Sequence, residues 1–397
     1  MKMSRPNAAV GTLMVAALAV VLRVQGVVLN AAESPSTPAP ASTTGPAALG
    51  VPGRPALGVY RTVGEEGTRG VDNFSSWLGV PVRLGHDSMP TNATWDHISG
   101  QNLDWLLKPW SKWKKAGAGR RFVLSVAILA GPWDLSGPSI GTDAKKPVSH
   151  EAGARGEYNR HFKSLAEHLV QAGLDDSLLR LGWEMNGGWY TWRAAGHEEA
   201  FAGYWRQIVT TMRSVPGGQN LRFVFNPDCD PGGCKAEKAW PGDEFVDFVG
   251  VDIYDCSWLP DTYPIPTDAT PSQALARQQK VWNELHLHGN GNHRLLYWRD
   301  FAKAHHKPLC FPEWGDCGRQ VNGHGGGDDP YFVERMHQFV TDPGNNVAFH
   351  SYFDCTNPHD MNTDHRLSPE PDGSFTTHFP RSAARFKELF GAPAQGR

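Results

Sequence analysis

A glutamate closes a short apolar run in residues 180–193, Arg-Leu-Gly-Trp-Glu-Met-Asn-Gly-Gly-Trp-Tyr-Thr-Trp-Arg, and three aromatic rings follow it. Glu184 thus stands where a buried segment opens into a loop, beside Trp189, Tyr190 and Trp192. Sugar rings present apolar C–H faces, and flat side chains with polar tips match them. A carboxylate among such rings suggests glycoside chemistry. The competing reading, a loop cap beside a core cluster, fits poorly with the two adjacent glycines, Gly187 and Gly188. A second carboxylate settles the comparison: residues 307–315, Lys-Pro-Leu-Cys-Phe-Pro-Glu-Trp-Gly, repeat the pattern with Glu313 followed by Trp314. Breaking a glycosidic bond takes a proton for the leaving oxygen and support for an oxocarbenium-like centre, hence two carboxyl groups. In the retaining geometry they stand about 5–5.5 Å apart.

Short apolar runs that could hold these acids recur along the chain. Strands are expected at 56–60, 80–84, 121–129, 177–182, 221–225, 245–254, 307–313 and 347–353. Helices are expected at 95–116, 157–172, 198–215, 271–288, 293–306, 330–341 and 381–390. Alternation of strand and helix argues for a parallel sheet, and eight strands argue for closure into a (β/α)8 barrel of the α/β class. Polar and aromatic residues gather at the C-terminal ends of these strands, which is the active face of such a barrel. They include His86, Trp133, Asn186, Asp228, Asp252, Tyr254 and Asp255. Trp133, Trp189 and Trp192 are candidate stacking platforms with core packing as the alternative. Asn186 is a candidate substrate donor or a left-handed turn residue. Strict alternation from Glu184 turns Trp183 toward the helices.

The two motifs, Trp-Glu-Met-Asn-Gly-Gly-Trp-Tyr-Thr-Trp and Pro-Glu-Trp-Gly, resemble those of glycoside hydrolase family 26, the β-mannanase family of a retaining (β/α)8 clan. The resemblance spans residues 57–390, roughly, and its specific part is the two motifs. It implies that Glu184 is the acid/base and Glu313 the nucleophile, at the ends of strands four and seven. It also implies that Tyr254 donates to Glu313. Read from their own types and places, His86, Trp133, Asn186, Trp189, Tyr190, Trp192, Asp228 and Trp314 are the candidate substrate-site residues, with a cap as the alternative for Asp228. The substrate implied is β-1,4-mannan or a related β-linked polysaccharide cut internally, without a cofactor or metal. One position departs: the family usually has histidine before the acid/base, and here it is Trp183, an indole that only donates.

The chain has 397 residues, a net charge of −3 and a pI near 6.6, so nothing favours nucleic acid as partner. Its 15 tryptophans suit a carbohydrate surface, although several must be core. Lys2 and Arg5 precede an apolar run at 8–22, the pattern of a secretory signal. Leu29 and Asn30 make a poor cleavage site, which leaves an uncleaved membrane tether through residues 8–29 as the alternative. The expected division is therefore 1–32 signal or anchor, 33–55 Pro/Ser/Thr-rich disordered linker, and 56–391 catalytic barrel, extracellular and monomeric. Six cysteines suit an oxidising compartment, and Cys229 with Cys234 is the preferred pair of 15 possible connectivities. His286, His288 and His293 read as surface helix residues. Asp328 and Asp329 give a faint calcium signal in a Gly-rich rim loop. A non-catalytic carbohydrate-binding barrel would need neither glutamate, and a metal-dependent barrel hydrolase would need a His-x-His motif early in the chain and further ligands at strand ends, which the sequence does not show.

Overall fold

The computed structural model describes residues 49–50, 53–131, 142–143, 146–229, 234–289, 293–357 and 363–392. The expected signal segment, nearly all of the linker, and Trp133 lie outside them. Eight strands form one parallel sheet: β1 Ala56–Tyr60, β2 Leu84–Ser88, β3 Arg121–Val126, β4 Leu178–Leu181, β5 Arg222–Phe225, β6 Phe248–Gly250, β7 Leu309–Gly315 and β8 Val347–Phe353. Each pairs in parallel with the next, and β8 returns to β1 with Ala56 opposite Phe349, so the sheet closes into a (β/α)8 barrel. Ile253–Tyr254 prolongs the line of β6 and pairs with Trp314 and Gly315.

Around the barrel run α1 Gly64–Leu78, α2 Asp104–Lys115, α3 Asn159–Gln171, α4 Glu198–Arg213, α5 Pro271–Lys280, α6 Leu295–Ala304, α7 Pro330–Thr341 and α8 Pro380–Phe390. Among the described residues β5 reaches β6 through two 3-10 turns, Ala236–Ala239 and Asp243–Phe245, with no α-helix between. Two expectations need correction. Helix α1 is absent from the helices expected of the sequence; its Gly64, Gly67 and Gly70 lower helix propensity. They are required by close packing: a Cβ on Gly67 would lie 2.4 Å from the Thr62 carbonyl oxygen, and one on Gly70 would lie 2.6 Å from the Arg61 Cβ. The second strand begins at Leu84, not at residue 80, since Pro81 lacks the N–H that a ladder needs. His86 and Asp87 therefore lie inside β2. Asp87 is fully buried and accepts from the Gly64 amide at 2.7 Å and the Trp110 indole at 2.5 Å. Burial pushes its pKa up to about 7 against those donors.

The barrel interior is layered. Its floor is apolar, from Leu84, Val123, Leu178, Val224, Phe248, Cys310 and Phe349. Two residues further along β2, β3, β4 and β5 the same inward face carries His86, Ser125, Arg180 and Asn226, because side chains alternate along a strand. The main apolar core lies between the strands and the helices.

Candidate active site

Arg180 is the centre of the polar layer and is completely buried. Its Nε donates to Asn226 Oδ1 at 2.6 Å, and its Nη1 donates to Glu313 Oε1 at 2.6 Å and to Ser125 Oγ at 2.8 Å. Nη2 is ion-paired with Asp252, itself fully buried. His86 stands with Nε2 2.9 Å from Arg180 Nη1 and 2.9 Å from Ser125 Oγ. Burial and the adjacent guanidinium hold its pKa well below the ordinary value, so the imidazole is neutral and can accept. His86 is 1 % exposed and lies beneath the cleft, bracing Arg180 instead of meeting solvent. Burial works against the charge of Arg180, but Asp252 and Glu313 more than offset it and raise its pKa.

Glu313 is fixed from both sides of its carboxylate. Arg180 donates to Oε1, and the Tyr254 hydroxyl donates to Oε2 at 2.6 Å. Its own amide donates to Asp252 Oδ1 at 3.0 Å. A change of register between Phe311 and Trp314 marks a bulge in β7. The bulge turns Trp314 out of the barrel: it is 0 % exposed, donates to His350 Nδ1 at 3.1 Å and stacks on Phe386 of α8. Trp314 is therefore a core residue, which corrects its expected place in the substrate site.

Glu184 follows β4 through Gly182, and both residues have a φ of 52°. A left-handed conformation costs a residue with a Cβ about 1–2 kcal/mol. Here it is fixed by the Glu184 amide, which donates to the Asn226 carbonyl at 2.7 Å. The Trp189 indole donates to Glu184 Oε2 at 2.7 Å. Burial, then the charges of Asp228, Asp252 and Glu313, raise the Glu184 pKa well above the ordinary carboxylate range. Oxygens of Glu184, Asp252 and Glu313 all lie within 4.8 Å of one another. Three acids so placed could hold a cation; the Arg180 guanidinium, bonded to two of them, already supplies positive charge there.

The aromatic cluster divides in two. Trp189 and Tyr190 are half-buried at the cleft, whereas Trp192 is 0 % exposed and donates to the Trp183 carbonyl at 2.8 Å. Trp192 is core, not a platform. Trp183 is buried too, its indole donating to the Tyr190 hydroxyl at 3.1 Å, in keeping with its expected orientation toward the helices. Asn186 has no left-handed backbone; its amide group is bonded to the backbone N–H and carbonyl of Asp228 at 2.8 and 2.9 Å, tying the β4 loop to the β5 loop. Asp228 is half-buried beside Glu184 and forms a bridge with Asp252. His286 is not a surface residue: it is 0 % exposed with Nε2 3.1 Å from Asp255 Oδ1, and burial pushes the Asp255 pKa up to about 7. Asp329 caps α7 and Asp328 accepts from Arg381 and the Ser382 amide, so both carboxylates have protein donors. No disulfide is formed among the described cysteines, though the sulfurs of Cys256 and Cys317 stand 2.8 Å apart.

Sequence reasoning placed Asp252 on the active face without a partner and gave no role to Arg180, Asn226 or Ser125. Arg180 could have been found: it lies four residues before Glu184, on the same inward face, as the one charge in an otherwise apolar strand.

A closed parallel barrel carries the two carboxylates at its C-terminal mouth, flanked by the half-buried Trp189 and Tyr190. The signature of glycosyl hydrolase family 26 matches residues 139–267, a segment that contains Glu184, Asp252 and Tyr254 and ends before Glu313. That segment is about a third of the chain, and over it the chain is similar to this family. It is 26 % identical over 210 residues to a beta-1,3-xylanase of Alcaligenes sp, covering 51 % of this chain and 39 % of that one. A mannan endo-1,4-beta-mannosidase of Bifidobacterium adolescentis is 30 % identical over 109 residues, 25 % of this chain and 11 % of the other. The chain thus spans well under half the length of these curated relatives. The catalytic domain of an endo-beta-1,4-mannanase from Bacillus sp. JAMB-750 shares the fold, with a TM-score of 0.53, 16 % identity and 85 % of each chain covered.

Proposed function

We propose that this protein hydrolyses internal bonds of a β-linked polysaccharide, β-1,4-mannan first, with retention of anomeric configuration. The observation that carries this is the contrast between two carboxylates whose oxygens lie within 4.8 Å: Glu184 raised in pKa by burial and neighbouring acids, Glu313 gripped by Arg180 and Tyr254. That spacing suits direct attack better than the 6.5–9.5 Å, approximately, that leaves room for a water. Glu184, protonated, gives its proton to the leaving oxygen while Glu313 attacks the anomeric carbon. The glycosyl–Glu313 ester is then hydrolysed by water that Glu184, now ionised, deprotonates. Arg180 and Tyr254 keep the attacking carboxylate aimed. Trp189 and Tyr190 offer flat faces to the sugar.

A second sugar has its own support. The match to beta-1,3-xylanase covers about twice as much of the chain as the match to the mannosidase, and Trp183 replaces the family's usual histidine. A screen of mannan, glucomannan, β-1,3-xylan and β-1,4-xylan, with the first-formed anomer followed by proton NMR, tests both parts. A β-anomer appearing first is expected; an α-anomer appearing first would reject retention, and release of single sugars only would reject internal cleavage. Export is part of the same reading, supported by the charged start, the apolar run and the cysteine count. Non-reducing peptide mapping of secreted material should recover Cys256 joined to Cys317.

A further inference from the structure

The loop that follows Tyr254 carries a tryptophan that faces solvent. Trp258 is 54 % exposed, and Val321, in the loop that follows β7, is 62 % exposed. Neither belongs to the catalytic pair or to the aromatic cluster after Glu184. Exposure alone marks nothing, since single apolar residues at a surface are ordinary; what distinguishes Trp258 is how its indole is held.

This indole is held rigidly. The His324 ring lies nearly parallel to it, 5.2 Å between centroids with 23° between planes, and the Arg319 guanidinium stands 5.4 Å from the ring centre. Both are braced on one atom, Asn322 Oδ1, reached by Arg319 Nε at 3.4 Å and by the His324 amide at 3.1 Å. The β7 loop therefore backs the indole while more than half of the residue stays open to solvent. That loop is stitched to the one carrying Trp258: the Ser257 amide donates to the His324 carbonyl at 2.9 Å, His324 Nδ1 lies 2.9 Å from the Ser257 carbonyl, and the Gly326 amide donates to the Asp255 carbonyl at 2.8 Å. The same two loops leave the strands that hold Tyr254 and Glu313. Four residues span at most about 14 Å, so Trp258 stays within reach of a short oligosaccharide seated between the two acids.

We propose that Trp258 is the stacking platform of a distal subsite, taking one pyranose ring of a β-linked glycan whose scissile bond lies between Glu184 and Glu313. The assignment rests on the glycanase reading above. A glycan is the occupant because the surface is a single flat ring with polar neighbours, which matches a sugar's apolar face and hydroxyl rim. A protein partner would ask for a wider apolar patch. Because the ring is oriented in advance, little side-chain entropy is lost when sugar docks.

The test uses Trp258→Ala and Trp258→Phe in the full chain, with β-1,4-mannan and β-1,3-xylan oligosaccharides of two to six units. Trp258→Ala should raise KM about 2- to 10-fold for the longest substrates, with a loss that grows with chain length, while kcat changes less and Trp258→Phe recovers most of the loss. A loss independent of length, or none, would overturn the platform. Calorimetric titration of hexasaccharide into Glu313→Ala, with and without Trp258→Ala, gives a readout that needs no turnover: weaker binding in the double variant is expected, and equal binding rejects the proposal. If the wild-type protein cleaves none of these glycans, the glycanase reading fails, and the titration still decides whether the indole binds sugar. An unchanged thermal midpoint in Trp258→Ala separates lost contact from lost fold.

Discussion

The ends of β4 and β7 both deliver a glutamate to the barrel mouth, but they do so with different backbones and different partners. Glu184 is set beyond its strand on a left-handed residue and meets one indole donor and three neighbouring acids. Glu313 sits inside a seven-residue strand and meets a guanidinium and a phenol. The first setting disfavours charge, whereas the second surrounds the carboxylate with donors. What separates the two identical side chains is Arg180, which bonds Glu313 and Asp252 but not Glu184.

The harshest way to break the contrast is to delete one side of it. Glu313→Ala should lower turnover by about 10,000-fold or more on every substrate, since no glycosyl ester can form. Glu184→Ala should cost about 100- to 10,000-fold on polymer and far less in the first step on a dinitrophenyl glycoside, whose leaving group needs no proton. With azide, the Glu184 variant should regain turnover and yield a β-glycosyl azide. Burst kinetics and product analysis check this; the same burst from the Glu313 variant instead would exchange the two roles.

Removing the agent of separation comes next. Arg180→Met leaves Asp252 and Glu313 buried without their shared cation. Breaking such a pair costs about 3–5 kcal/mol, which at roughly 2–4 °C per kcal/mol predicts a thermal midpoint lower by on the order of 10 °C. Calorimetry reads it, and a loss below about 1 °C would mean that Arg180 is not the keystone of the layer. A gentler probe is Trp189→Phe. The indole hydrogen bond favours the charged form of Glu184 and so pulls against its raised pKa. Without it the carboxyl holds its proton more firmly, so the basic limb of the kcat/KM profile should move to higher pH, with kcat/KM lower by about tenfold. A limb that moved toward acid would show that Trp189 acts on something other than Glu184.

The barrel itself was legible because strand and helix periods differ and alternate, and β1 and β8 were read to the residue. The second strand and α1 were misjudged for local reasons. Pro81 interrupts an apolar run that looks like a strand, and two glycines of α1, Gly67 and Gly70, let Thr62 and Arg61 approach the helix. At the site, the motifs put Glu184 and Glu313 at strand ends and the family resemblance pointed to Tyr254 beside Glu313; the structure brings these three side chains together. The errors at Trp192 and Trp314 share a cause: an aromatic near a candidate acid reads as a sugar contact, whereas the bulge in β7 turns Trp314 outward and the loop after β4 folds Trp192 back onto the Trp183 carbonyl. Bulges leave little trace in composition. Arg180 was overlooked for the opposite reason, since a buried charge makes sense only when its partners from β5, β6 and β7 are known.

The smallest effect concerns stability and sharpens the account of Glu184 alone. In the folded chain burial and the nearby acids raise its pKa, while an unfolded glutamate titrates near about 4.3. Between those values the folded state binds more protons than the unfolded state, so stability falls as pH rises. The favourable contribution is complete below the unfolded pKa and is lost as pH climbs through the folded one. Glu184→Gln cannot ionise, yet its amide oxygen still accepts from the Trp189 indole. The variant should therefore match the wild type near pH 4 and exceed it at pH 8, by a thermal midpoint of about 1–3 °C, while losing activity on polymer. Asp252 and Asp255 remain in both proteins, so the difference between the two melting curves isolates Glu184. A gain that is constant with pH, or that grows toward acid, would mean that Glu184 is charged in the resting site and that the contrast with Glu313 arises only when substrate binds.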